Sequence, residues 1–106
     1  IIEPMAFCQC VSLRQIEIPS SVTEIGYQAF DQCSSLTNIK IPSSITIIHD
    51  WTFRLCTSLI HVEIPTSITE IGREAFNECS SLLKIKIPSS VKKIGEHAFM
   101  PQIIYI

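Results

Sequence analysis

This sequence lacks the features that several functional classes need. No apolar run approaches the ~18 residues of a membrane-spanning helix, so we expect no membrane insertion. Lys and Arg number 8 against 10 Asp and Glu, and the net charge of −2 argues against a basic surface for nucleic acid. The sequence has no signal-peptide pattern and begins at Ile1 rather than Met, so we expect a fragment, a processed chain or a trimmed segment.

Patterns for catalysis and cofactor binding are missing as well. The 3 glycines stand apart from one another, which leaves no glycine-rich phosphate loop. The 3 histidines fall at different positions of the repeat described below, and no Ser-His-Asp set has a plausible arrangement. Among the 5 cysteines, only Cys8 and Cys10 come close to the spacing of metal ligands. We therefore predict no enzymatic activity, no metal and no cofactor.

What the sequence does have is an internal repeat. Residues 18–40 read IPSSVTEIGYQAFDQCSSLTNIK; the pattern returns at residues 41–63 and 64–86 and begins again at residue 87, and residues 2–17 match its second half. The period is 23 residues, which gives about four and a half units. A fixed period of roughly 20–29 residues with Leu and Ile at set positions indicates a solenoid, because stacked units bury a core that no single unit can bury.

Each unit predicts a strand, a corner, a short extended segment and a short helix. The strand pattern L-x-x-I-x-I ends at a Pro, which cannot continue a ladder, and the Ser/Thr pair after it is typical of a turn. The next apolar pair, Val22 and Ile25 in the first full unit, fits either a short second strand or an extended turn. The Gly that follows, replaced by His49 in one unit, suggests a positive φ. The Ala-Phe pair and the Cys after it have the spacing of one or two helical turns.

Two columns of equivalent residues are predicted to lie in the core. The Phe column is the largest apolar mass: Phe7, Phe30, Phe53, Phe76 and Phe99. The Cys column contains Cys10, Cys33, Cys56 and Cys79. Coils stacked ~4.8 Å apart fall within the ~4.4–6.8 Å Cα separation of a disulfide. Equivalent side chains in stacked coils point the same way, however, so we predict free, buried thiols.

The full pattern, L-x-x-I-x-I-P-x-S-V/I-x-x-I-G-x-x-A-F-x-x-C-S-S-L, resembles the BspA-like leucine-rich repeat, also called the Treponema pallidum type, over residues 2–99. The resemblance implies an α/β repeat solenoid. Its expected form is a curved, right-handed leucine-rich-repeat coil with a parallel β-sheet on the concave face and short strands and helical turns on the convex side. We expect residues 1–106 to form a single leucine-rich-repeat domain, which is a segment of a longer array.

Outward strand positions supply the first candidate site, on the expected concave face. One column contains Gln15, Asn38, His61 and Lys84, and the other contains Glu17, Lys40, Glu63 and Lys86. The second column alternates in sign, so neighbours attract by ~0.2–1 kcal/mol for each exposed pair. Charges on the convex side alternate too, at Asp50, Arg73 and Glu96 and from Asp31 to Arg54. The concave columns serve either register and solubility or the docking of a protein partner.

The segment from His49 to Thr52 is the second candidate, because it replaces the Gly-x-x-Ala of the other units. An exposed Trp51 would suit a binding anchor, since Trp is enriched among interface hot spots. Alternatively, Trp51 lies flat on neighbouring side chains, beside Gln28 and Glu74.

The last residues and the resemblance complete the functional hypothesis. Residues 103–106 could form a final strand against residues 82–87, or the array could continue; apolar ends of this kind predict end-to-end self-association. The resemblance to surface adhesin-type proteins favours a non-catalytic protein-protein interaction module, with an unidentified protein partner, at the cell surface or secreted. The alternative is a structural spacer or scaffold segment of an intracellular multidomain protein.

Overall fold

The computed structural model describes residues 1–101 and 103–106 and measures 31 × 30 × 20 Å. We number its coils by the sequence repeat: residues 1–17, 18–40, 41–63, 64–86 and 87–106 are coils 1 to 5. The described residues contain no helix, and their regular elements are short strands: β1 (Asn38–Lys40), β2 (Ile47–Ile48), β3 (His61–Glu63), β4 (Glu70–Ile71), β5 (Lys84–Ile85), β6 (Lys93–Ile94) and β7 (Ile104–Tyr105).

The strands pair in parallel between neighbouring coils, as expected for stacked repeats. β1 pairs with β3, and β2, β4 and β6 form a second sheet in that order. In both sheets the paired residues are 23 positions apart, such as Asn38 with His61 and Ile48 with Ile71. In coils 3, 4 and 5 the second residue of the apolar pair, Ile48, Ile71 or Ile94, lies in a short second strand, and the first residue precedes it. A short second strand is therefore the correct alternative in these coils.

The core is a stack of phenylalanine rings, one from each coil. Neighbouring rings have centroids 5.2–5.4 Å apart and planes within 4–9° of parallel. Phe30, Phe53 and Phe76 are fully buried, so the predicted Phe core is confirmed. The buried Leu and Ile columns pack in the same cluster.

The segment predicted as a short helix is a run of turns instead. Phe30 donates its N–H to the carbonyl of Thr52 in the next coil over 2.9 Å, whereas Asp31 donates to Gln28, three residues earlier in its own coil, over 3.2 Å. This alternation continues through residues 28–33. An α-helix needs successive amides to donate four residues back within one segment. Half of these amides bond to the next coil, so the prediction of helical turns was wrong.

The prediction of a positive φ at the glycines was also wrong, and none of the three has one. A Cβ on Gly72 would lie 2.6 Å from the backbone nitrogen of Asp50, and one on Gly95 would lie 2.4 Å from that of Arg73. Glycine is needed because neighbouring coils approach too closely for a side chain. Left-handed φ values fall on non-glycine turn residues instead: Met5, Gln9, Gln28, Gln32, Trp51, Leu55, Glu74, Glu78 and His97.

Pro42, Pro65 and Pro88 mark the corners after β1, β3 and β5, as predicted, whereas the residues before Pro19 form no strand. β1 ends at Lys40, and the carbonyl of Pro42 then accepts the N–H of Ile45 over 3.1 Å, closing a turn around the two serines. The equivalent corner of coil 4 also connects two coils, because the Oγ of its Ser67 donates to the carbonyl of Ile45 in coil 3 over 2.7 Å. The corner is thereby fixed both within its coil and against the preceding one.

The cysteines are free, as predicted. The thiol of Cys56 donates to the carbonyl of Phe30 over 3.2 Å, and Cys33 and Cys79 make the equivalent contact to Phe7 and Phe53. Burial raises the pKa of Cys33 to about 11 and that of Cys79 to about 12, and it raises the pKa of Cys56 as well.

The predicted final strand is confirmed. β7 pairs with β5 in parallel, and Ile85 lies opposite Tyr105, 20 positions later rather than 23. The Tyr105 ring meets Phe99 edge-on, with centroids 5.8 Å apart and planes at 89°. The shortened last coil thus covers the end of the phenylalanine stack.

Candidate functional site

We call the outward residues of the first strand columns the strand face: Gln15, Glu17, Asn38, Lys40, His61, Glu63, Lys84 and Lys86. Strand pairing joins four of them, whereas Gln15, Glu17 and Lys86 lie outside the strands and Lys84 pairs with Ile104 of β7. Asn38 lies opposite His61 and Lys40 opposite Glu63 in the ladder between β1 and β3. The Ile or Val between each pair of outward residues points into the core, which leaves the flanking polar side chains on the surface.

Three surface depressions lie on the strand face. The largest, of about 730 Å³, lies between Gln15, Glu17 and Lys40 beside the first two Pro corners. The second, of about 450 Å³, is lined by Lys40, His61, Glu63 and Lys86 among others, and the third, of about 300 Å³, also includes Asn38. Of the eight predicted residues, Lys84 lines none of the three.

The charges of the strand face do not pair with one another. Within residues 1–101 and 103–106, no salt bridge includes Glu17, Lys40, Glu63 or Lys86. The predicted attraction along this column therefore produces no ion pair. Exposed pairs gain little in water and lose side-chain entropy, which explains why opposite signs alone do not bring the groups together.

The charges on the opposite, turn-forming part of each coil are paired from coil to coil. We call this part the turn side; it contains residues 27–32, 50–55 and 73–78 and their equivalents in the end coils. Arg73 reaches Glu96 over 3.7 Å, and its backbone N–H donates to Asp50 Oδ1 over 2.8 Å. Arg54 Nη2 lies 3.1 Å from Oδ2 of Asp31, which also accepts the amide of Gln28 over 3.0 Å. Asp31 is fully buried, and its hydrogen bond to Arg54 raises the pKa of the guanidinium.

Trp51 belongs to the turn side and lines none of the strand-face depressions. It is half-buried and adopts a φ of 60°. Its side chain lies near Glu74, whose carboxylate accepts a hydrogen bond from Nδ2 of Asn77 over 2.9 Å. The hydrogen bond from Asn77 is the main cause that lowers the pKa of Glu74. Trp51 and the positive charge of Arg73 lower this pKa further.

His49 changes the junction between coils 2 and 3. Gly72 and Gly95 each donate their N–H to the carbonyl of an Ile in the preceding coil over 2.7 Å. Within the described residues, the N–H of His49 makes no such bond to the carbonyl of Ile25. The second sheet accordingly begins at β2 and does not include Ile25. The imidazole instead packs against the ring of Tyr27, with centroids 4.8 Å apart and planes tilted by 36°. The Thr52 hydroxyl donates to the His49 carbonyl over 2.8 Å and supports the looser turn.

The model of the BspA type leucine rich repeat region matches residues 1–104 in 6 copies. The chain belongs to this family. Leucine-rich repeat proteins generally bind other proteins, and the family is generally non-catalytic.

Solved structures resemble the BspA-type chain along most of its length. A leucine-rich repeat protein from Bacteroides ovatus is 37% identical with a TM-score of 0.90, and the match covers 99% of this chain and 28% of that one. A leucine-rich repeat protein from T. pallidum is 41% identical with a TM-score of 0.89, covering 92% and 46%. A leucine rich cell surface protein from Faecalibacterium prausnitzii is 39% identical with a TM-score of 0.85, covering 93% and 26%. The chain thus spans less than half the length of each. No curated protein matches it.

Two surface residues of the BspA-type fold were not predicted from the sequence. Ile60 and Leu83 hold the same position in coils 3 and 4 and are each 63% exposed. The sequence contains a signal for them, because the equivalent residues of coils 1 and 2 are Arg14 and Thr37. It was hidden by the buried Leu59 and Leu82, which precede them.

Other kinds of site find little support in this fold. Among the described residues, no group of three or more His, Cys, Asp or Glu is arranged to hold a metal ion. The same part of the chain contains no helix able to cross a membrane.

Proposed function

We propose that this chain is a non-catalytic protein-binding module and that its strand face contacts the partner. The observation that supports this is the contrast between the two sides. Charged residues of the strand face surround depressions of about 730 and 450 Å³ and form no ion pairs within the described residues. Arg54 and Arg73 of the turn side are already paired. Charges without an internal partner can pair with complementary charges of another protein, which increases the specificity of binding and the rate of association.

The proposal extends to the setting of the module. Resemblance to a leucine rich cell surface protein supports an adhesin-type role at the cell surface or in secretion. We take residues 1–106 as one domain, a segment of a longer array whose right-handed, 23-residue coil curves so that the strand face is concave. The relatives, which are longer than this chain, are consistent with such an array.

A displayed library of random 12-residue peptides tests the proposal although the natural partner is unidentified. Peptides selected on the native chain would be measured against the double variant Lys40→Glu, Lys84→Glu. The matched control is Lys92→Glu, Lys93→Glu, which makes the same change of charge away from the strand face. We expect the first variant to weaken binding tenfold or more, about 1.4 kcal/mol, and the control to leave it unchanged. Both variants should keep the native far-UV circular dichroism spectrum.

Two outcomes would overturn the proposal. Peptides that bind both variants as well as the native chain would place binding elsewhere, with Trp51 the next candidate. A library that yields no specific peptide would favour the spacer role instead.

A further inference from the structure

The exposed pair Ile60 and Leu83 forms an apolar edge along one half of the strand face. The two side chains lie in neighbouring coils, and each is followed at once by a strand-face residue, His61 or Lys84. Single exposed apolar residues are common on protein surfaces. Here, two occupy the same column in neighbouring coils, although coils 1 and 2 show that the column accepts polar residues.

The strand-face residues beside this edge are predominantly basic. Coils 3 and 4 contribute His61, Glu63, Lys84 and Lys86, with a formal charge of +1 when His61 is neutral, whereas the whole chain has −2. Neither Lys84 nor Lys86 forms a salt bridge in the described part of the chain. These two ammonium groups are therefore available to carboxylates of another molecule.

The geometry of this region suits an extended peptide. Lys84 lies in β5 and Lys86 follows that strand directly, and both are exposed on either side of the buried Ile85. In extended chain this spacing of two residues is ~6.6 Å. Side chains i and i+2 of an extended partner segment have the same spacing. Lys86 also lines the depression of about 450 Å³, together with Ile64, Pro65 and Pro88, so apolar surface lies next to this ammonium group.

We propose that this half of the strand face binds an extended, acidic protein segment, with its carboxylates on Lys84 and Lys86 and an aliphatic side chain against Ile60 and Leu83. The inference rests on the protein-binding function proposed above and adds the chemistry of the partner. A basic segment would be repelled by the two lysines, and a purely polar one would leave the apolar edge exposed to water.

The displayed 12-residue library also tests this inference, now through the composition of the selected peptides. We expect them to contain more Asp and Glu than Lys and Arg, together with at least one aliphatic residue. Their binding should weaken about tenfold on Leu83→Ser and on Lys84→Glu, as expected for residues central to an interface. Val11→Ser removes an exposed apolar side chain elsewhere, Lys92→Glu reverses a charge elsewhere, and neither should change binding.

The outcomes separate this inference from the broader function. Two outcomes would overturn the inference and leave the strand face as the binding surface. In the first, the peptides lose binding to the double variant Lys40→Glu, Lys84→Glu but are themselves neutral or basic. In the second, they bind Ile60→Ser and Leu83→Ser as well as the native chain. Peptides indifferent to every strand-face variant would overturn both. Acidic peptides that bind Leu83→Ser and Val11→Ser equally would remove the apolar edge from the site.

Discussion

Asp31 and Arg54 occupy the same repeat position in adjacent coils, and their Oδ2 and Nη2 atoms lie 3.1 Å apart. The carboxylate is fully buried, while the arginine side chain remains 30% exposed. Removal of Arg54 therefore leaves a charge without access to water, whereas removal of Asp31 leaves a charge that water can still reach.

Arg54→Met should destabilise the fold more than Asp31→Ala. The first change leaves a carboxylate in a buried site, which costs about 3–5 kcal/mol. The second leaves a guanidinium that can turn to solvent, for which we expect about 1–2 kcal/mol. Urea unfolding of both variants and of the double variant measures the asymmetry. Equal losses would mean that water reaches Asp31 in solution.

Phe53→Ala should cost about 3–5 kcal/mol, because it opens a cavity in the middle of the ring stack. Phe7→Ala, at the half-buried end of the stack, is the matched control and should cost clearly less. Thermal and urea unfolding provide the comparison. A loss below about 1 kcal/mol at Phe53 would contradict its place in the core.

Gly72→Ala and His49→Ala test the reason for glycine at one repeat position. The new Cβ at Gly72 would strike the backbone of Asp50, and we expect a loss of about 1–3 kcal/mol. At His49 the chain already carries a Cβ, and the substitution removes only the contacts with Tyr27 and Glu24, for less than about 1 kcal/mol. Equal effects would show that the coils are not so close at Gly72.

Stability should fall at alkaline pH, in part through the buried thiols. Burial raises the pKa of Cys33 from 9.0 to about 11 in the folded chain, so the unfolded chain loses this proton first. The stability contributed by the protonated thiol is complete below pH 9.0 and is lost as the pH rises to about 11. Unfolding free energies from about pH 7.5 to about pH 10.5 should decline less steeply for Cys33→Ala than for the native chain. Identical slopes would contradict the assignment.

Self-association through the ends of the stack remains a prediction. Coil 1 exposes Met5 and Val11, and the last coil exposes Tyr105 and Ile106. We expect light scattering after size-exclusion chromatography to detect larger species as concentration rises, and Met5→Glu to reduce them. A monomer at every concentration would contradict this prediction.

The repeat made the columns predictable, because a residue that recurs every 23 positions must meet its equivalents when coils stack. The Phe core, the Pro corners and the free thiols follow from this single relation. The helical turns do not, because the three-residue spacing of Phe30 and Cys33 suits consecutive tight turns as well as a helix. What decides between them is hydrogen bonding to another coil, such as Phe30 to Thr52, and a local pattern contains no information on that.

Neither the reason for the glycines nor the pairing of the strand-face charges could be predicted from the sequence, for related reasons. Glycine satisfies either a positive φ or a close backbone approach, and the sequence does not distinguish the two at Gly72. Opposite charges at Lys40 and Glu63 are adjacent by register, yet the conformations of long exposed side chains decide whether they meet. The exposure of Ile60 and Leu83 was missed because apolar neighbours concealed it.

Coil 3 is joined to its neighbours along opposite edges. On the strand face it pairs with coil 2, through β1 and β3, whereas β3 and β5 do not pair. In the second sheet it pairs with coil 4, through β2 and β4, whereas Ile25 of coil 2 stays outside that sheet. The turns hold both junctions in the same way, since Phe30 donates its N–H to Thr52 and Phe53 donates its N–H to Ala75. Coil 3, which contains both His49 and Ile60, is therefore paired with one neighbour on the strand face and with the other in the second sheet.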